Sequence, residues 1–130
     1  WGLDIILKEA YENNIIMSGV SAGAICWFKK GITDSWKDNQ ATIDCLGFVE
    51  GICCPHYDEE PERIPYVKKI LKDNEITECF GIEGYAALHL IDDKPKYNVS
   101  FKKHTSCHHV FLANKKVHHK KIDDTIGIDL

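Results

Sequence analysis

Apolar positions among the first twelve residues recur at helical spacing. Leu3, Ile6, Leu7, Ala10 and Tyr11 fall on one face, which predicts an amphipathic helix ended by Asn13-Asn14. The period then changes. Ile15-Ile16-Met17-Ser18-Gly19-Val20 is a short, mostly apolar run bounded by turn residues, and it reads as a buried parallel strand. Residues 22–30 have helical character, with Ile25, Trp27 and Phe28 available for packing and Gly31 as the stop. Residues 33–44 are polar and predict a loop. A second buried strand is expected over 46–54, closed by Pro55. The acidic stretch 57–65 predicts a surface loop, with Pro65 in the first turn of a helix over 66–73 that turns Val67, Ile70 and Leu71 inward. Strands follow over 77–82 and 85–91, a turn at Asp92-Asp93-Lys94, and a return strand over 96–101. A second hairpin is expected from 110–113 and 117–122, turned at Asn114-Lys115. The early half is β/α and the later half antiparallel, which predicts one α/β domain over 1–130, part of a three-layer α/β/α arrangement.

Composition narrows the function classes. The 130 residues are 44% hydrophobic and 28% charged, with a net charge of −4. That balance is globular and excludes a disordered or collagen-like chain and a basic nucleic-acid-binding tail. No apolar run approaches the roughly 18 residues that cross a bilayer, so neither nucleic acid nor membrane is an expected partner. The six Cys lie in mostly apolar settings with no CxxC, which predicts reduced core thiols in a cytoplasmic protein. The chain opens on Trp1 and its one Met is Met17, so it is expected to be the C-terminal portion of a longer domain. Asp4, Lys8, Glu9 and Glu12 break any signal-peptide core at this end. There are 15 Lys but one Arg, so a bidentate clamp on a carboxylate could come only from Arg63.

The sharpest chemical signal is Gly19-Val20-Ser21-Ala22-Gly23-Ala24, a G-x-S-x-G elbow between an expected strand and an expected helix. Such a turn strains Ser21 and lifts its Oγ clear of the sheet. Gly19 and Gly23 leave room for strand and helix to approach, and Ala22 and Gly23 offer backbone N–H groups to a developing anion. A serine nucleophile needs a base. Of seven His, His56 follows a buried strand in Cys53-Cys54-Pro55-His56, at the carboxyl edge where sites in open α/β sheets assemble. His89 reads as structural. His104, His108, His109, His118 and His119 read as solvated, with no plausible metal set. A base needs an orienting acceptor. Glu83, between a strand end and Gly84, is the first candidate; Asp34, 13 residues after the serine, is its competitor.

These segments together resemble one family. Gly-Val-Ser21-Ala-Gly-Ala, then Asp34, Pro55-His56 and Gly81-Ile82-Glu83-Gly84 look like peptidase E, the aspartyl dipeptidase family of serine peptidases, within the class I glutamine amidotransferase-like superfamily. The likeness covers nearly the whole chain. It implies a mostly parallel sheet in three layers, whose first strands and a Gly-rich oxyanion loop lie upstream of Trp1. It implies a Ser-His-Glu triad of Ser21, His56 and Glu83, with Asp34 in support, and small peptides as substrate. Neither metal nor cofactor is implied, and a homodimer is allowed. The family's dipeptidase reads an N-terminal aspartate with an arginine after the catalytic His. Here that arginine would be Arg63, set among Asp58, Glu59, Glu60 and Glu62, which argues against strict aspartate specificity. The alternative is a catalytically idle member of the fold that serves as a binding or regulatory module. An amidotransferase is disfavoured because it would need Cys at the elbow.

Overall fold

The computed structural model describes residues 1–35, 39–73, 76–123 and 125–127. Helix α1, Leu3–Glu12, starts after Gly2 in the left-handed region and ends at Asn13, whose side chain donates to the Glu9 carbonyl at 2.8 Å. It buries no residue; Leu3, Ile5 and Ile6 are exposed. The next segment corrects an expectation. Residues 15–20 form no strand, and Ile15, Ile16 and Val20 are 59%, 91% and 85% exposed. An apolar run becomes a strand only when a neighbouring strand takes its backbone hydrogen bonds, and among the described residues no strand pairs with it.

The helix expected over 22–30 is also shorter. α2 is Ala22–Ile25, and the chain turns into β1, Phe28–Thr33. The reversal is tight: a Cβ on Gly31 would lie 2.6 Å from the Ile25 Cβ. Pairing of β1 with β2 (Ala41–Asp44) and β3 (Val49–Cys54) outweighs the weak helical preference of this stretch. β2 replaces part of the expected loop; Lys30 and Asp44 form an ion pair where the strands meet. α3, Arg63–Asp73, starts earlier than expected, with Pro65 in its first turn. β4 (Glu78–Ile82), β5 (Ala86–Ile91), β6 (Lys94–Ser100), β7 (Cys107–Ala113), β8 (Lys116–Lys121) and β9 (Thr125–Gly127) complete the described elements.

A six-stranded sheet runs β2-β1-β3-β4-β7-β8, and a second runs β5-β6-β9. In the large sheet β1–β3 and β3–β4 are parallel, whereas β1–β2, β4–β7 and β7–β8 are antiparallel. The sheets are therefore mixed, not mostly parallel. Parallel neighbours need a long crossover, and α3 supplies one between β3 and β4. β5–β6 and β7–β8 are instead joined by two-residue turns, Asp92-Asp93 and Asn114-Lys115, with positive φ at both positions, as tight hairpins require.

Alternation along β3 and β4 gives the large sheet two apolar faces. Ile52, Cys54 and Cys79 pack with Val67, Ile70 and Leu71 of α3. Cys53 and Phe80 point the other way, toward Ile25, Phe28 and Leu88 and Leu90 of β5. The β5–β6 hairpin thus takes a place where the three-layer expectation put helices. Opposite Phe28–Lys30 the register slips, because Val49 to Ile52 spans one residue more than its partner. Gly51 absorbs the slip at φ 93, and a Cβ there would press on Glu78 and Phe80 at 3.1–3.2 Å. This bulge lies upstream of the straight run that delivers Pro55 and His56.

Candidate active site

Ser21 sits at the sharp turn before α2 with φ 52 and ψ −114, a positive φ that L-residues rarely adopt. The turn closes through a Gly23 N–H bond to the Val20 carbonyl at 2.8 Å. Gly19 is obligatory: a Cβ there would lie 2.0 Å from the Gly23 carbonyl oxygen. Gly23, expected to be needed for the same reason, has open space at its Cβ position. Among the described residues no acceptor takes the Ala22 N–H, so it remains available beside Oγ.

β3 ends at Cys54, and the chain turns at His56 with φ 53. The turn brings Nε2 of His56 to 3.0 Å from Ser21 Oγ. The other ring nitrogen, Nδ1, lies 2.6 Å from Oε2 of Glu59. With the proton on Nδ1 donated to this carboxylate, Nε2 is left to accept the serine proton. All three groups are partly open to solvent; the His56 and Glu59 side chains are 40% and 48% exposed.

Glu83 was expected on Nδ1, and its carboxylate is elsewhere. Oε1 lies 2.6 Å from His108 Nε2, and Oε2 accepts the Ser106 N–H at 2.8 Å. The reason is register. β4 and β7 run antiparallel with Ile82 opposite Cys107, so Glu83, one residue on, faces Ser106 and the neighbouring His108. His108 is buried, and its Nδ1 lies 2.9 Å from His119 Nε2. Burial and the neighbouring His108 lower the His119 pKa. His109 lies 2.9 Å from a Glu78 oxygen and stacks on Phe80. These rings are thus not simply solvated, as the Lys-rich sequence around them suggests. His89 is exposed, against Tyr97.

Asp34 does not reach His56 either. Its carboxylate lies 3.6 Å from Arg63 Nη2. Arg63 is 2% exposed and gives Nε and Nη2 to the two oxygens of Glu60 at 2.8 and 2.9 Å. Asp34, Glu60 and Arg63 line a cavity of about 150 Å³ whose other walls include Ser21 and His56. A larger cleft, about 950 Å³, opens from the elbow past Met17, Trp27, Phe48, Leu88 and Leu90. Among the described residues no cluster of three or more His, Cys, Asp or Glu side chains could hold a metal ion. No described helix is long and apolar enough to cross a membrane.

In the sequence Glu59 and Glu60 read as members of an acidic surface run. The available signal was spacing: a carboxylate three residues past His56 is within reach of its ring when the chain turns there.

The elbow thus places a strained serine on a tight glycine turn within hydrogen-bond distance of a histidine whose other ring nitrogen meets a carboxylate. Residues 1–97 match the model of Peptidase family S51, and the chain belongs to that family. It is also similar to the uncharacterized peptidase YgaJ of Bacillus subtilis (strain 168), 38% identical over 117 residues. That match covers 90% of this chain and 50% of the relative, so the chain spans about half the length of the curated relative it matches. The resemblance to the peptidase E family drawn from the elbow and the segments after it agrees with both comparisons.

Proposed function

We propose that the protein is a serine-type peptidase of short peptides, with Ser21 as nucleophile, His56 as general base and Glu59 as the carboxylate that orients His56. The observation that carries this reading is the 3.0 Å approach of His56 Nε2 to Ser21 Oγ at a residue held at φ 52. The Ser21 proton passes to Nε2 as Oγ bonds to the scissile carbonyl carbon. The carbonyl oxygen takes up negative charge beside the Ala22 N–H. Collapse breaks the C–N bond, and Nε2 returns its proton to the departing amine. Water then attacks the acyl-enzyme with His56 again as base, releasing the acid and restoring Ser21. Throughout, Glu59 keeps the proton-bearing Nδ1 pointed away from the serine.

Peptidase family membership and the name of the Bacillus relative support a peptidase over an esterase. Short substrates are what the peptidase E resemblance implies, and the cleft of about 950 Å³ beside the elbow gives such a peptide room. The deciding experiment treats the protein with a serine-directed fluorophosphonate and with a panel of dipeptides. Labelling at Ser21, lost in Ser21→Ala together with peptide cleavage, is the expected result. A protein that cleaves no peptide and leaves Ser21 unlabelled would instead be an idle binding module.

A further inference from the structure

We infer that Glu60 makes the small cavity beside Ser21 a subsite for an alkylammonium group and bars a carboxylate from it. This rests on the peptidase reading of Ser21 and His56.

The cavity of about 150 Å³ can hold a short side chain, and Ser21 and His56 form part of its wall. Whatever fills it lies next to the reacting carbonyl. The charged and titratable groups facing it are Asp34, Glu60, Arg63 and His56. Arg63 is the one that could receive a substrate carboxylate, and its fork is spent. Nε and Nη2 go to both oxygens of Glu60, Nη1 donates to the Ile32 carbonyl at 3.4 Å, and the residue is 2% exposed. A bidentate pair of this kind leaves no free fork for a second carboxylate. Glu60 also accepts from Gln40 Nε2 at 2.9 Å, so the carboxylate is fixed from two sides. Its hydrogen bonds from Arg63 hold it below the usual carboxylate range, and it stays ionised at neutral pH.

Two carboxylates against one guanidinium leave the cavity with one net negative charge while His56 is neutral. Asp34 is the less engaged of the two: it is half-exposed, and its contact with Arg63, at 3.6 Å, is beyond hydrogen-bond length. An alkylammonium entering between Asp34 and Ser21 meets an acceptor. An anionic side chain meets like charge, and the Nε–Nη2 edge of Arg63 that would grip it is already on Glu60. The ammonium could come from a lysine side chain flanking the scissile bond or from the substrate's own α-amino group.

The test is calorimetric titration of the Ser21→Ala protein, which separates binding from turnover. The ligands are N-acetylated tripeptides that differ only in a central Lys, norleucine or Asp, with the norleucine peptide also supplied with a free amino terminus. Either the acetylated Lys peptide or the free-amine norleucine peptide should bind about tenfold or more tighter than acetylated norleucine, with Asp weakest. Which of the two gains identifies the source of the ammonium. Adding Glu60→Gln, which releases part of the Arg63 fork, should shift the Lys-to-Asp preference toward Asp by about tenfold or more. Should that double variant not fold, the ranking in Ser21→Ala alone decides. Equal binding of Lys, norleucine and Asp, tighter binding of Asp, or no binding of any peptide overturns the inference. Failure of the peptidase reading appears separately, as absent hydrolysis and labelling in the parent protein.

Discussion

A Cβ placed on Gly84 would lie 2.6 Å from Oε1 of Glu59. The carboxylate that holds His56 therefore stands over a position that must stay bare. The same corner is tied down by the Gly84 N–H, which donates to Asp58 at 2.8 Å. Gly84→Ala should push a flexible carboxylate aside at small cost in stability, yet misplace His56. We expect kcat to fall about tenfold or more with the melting temperature nearly unchanged, since small misplacements at a reacting centre carry rate penalties of that order. Equal losses of melting temperature and kcat would argue against this role.

Glu59 and Glu83 should separate in the same way. Glu59→Gln removes the acceptor that selects the His56 tautomer and should lower kcat by about 10²–10⁴. Glu83→Gln leaves His108 and the Ser106 N–H poorly matched, and should cost about 1–3 kcal/mol of stability. The measurement is kcat and urea unfolding on both variants. The larger kcat loss in Glu83→Gln would assign the orienting role to Glu83.

Ser21 carries backbone strain that a glycine would not. Ser21→Gly should abolish fluorophosphonate labelling while raising unfolding stability by about 1 kcal/mol, because a positive φ costs an L-residue roughly that much. An unchanged or lowered stability would mean that the turn is relaxed.

The Glu60–Arg63 pair sets an acid limit. Hydrogen bonds from Arg63 lower the Glu60 pKa from its ordinary 4.5. A carboxylate with a depressed folded-state pKa stabilises the fold fully above the unfolded value. That contribution is lost as pH falls through the lower folded value. Stability should therefore decline below about pH 4.5, and Glu60→Gln should flatten that part of the curve. Glu60→Ala, which strands a buried guanidinium, should cost about 3–5 kcal/mol at neutral pH.

Thiol chemistry gives an independent check on the core. Burial pushes Cys54 and Cys107 up to about 12 and raises Cys53 and Cys79 well above the ordinary value. Cys26 and Cys45 are only half-buried. Ellman's reagent should find two slow thiols in the native protein and six in urea, the other four reacting only on unfolding. Six fast native thiols would contradict the packing on both faces of the sheet.

The legible parts were those whose cause is local. The helix containing Val67, Ile70 and Leu71 is set by its own spacing, and the Asp92-Asp93 and Asn114-Lys115 turns by residues that tolerate positive φ. The turn at Ser21 and the placement of His56 beside it follow from short runs with their own conformational signatures. Glu83 was not legible in that way, because its partner is chosen by the β4–β7 register, and His108 is 25 residues away. Residues 28–33 were misread for a related reason: Phe28-Lys29-Lys30-Gly31 has no strand pattern of its own and becomes a strand between β2 and β3. Arg63 is the lone guanidinium in the sequence, but its pairing with Glu60 depends on a helix start that no local residue marks.

The bare Ile15–Val20 stretch has a consequence for bench work. Ile15, Ile16 and Val20 offer water apolar side chains on a stretch that pairs with no strand among the described residues, and Leu3, Ile5 and Ile6 of α1 are exposed as well. Exposed apolar side chains of this kind favour contact between copies, against the repulsion of a net charge of −4. Preparations of this chain should scatter more light as they are concentrated, and dilution, not heating, is the gentler way to recover single particles for assay.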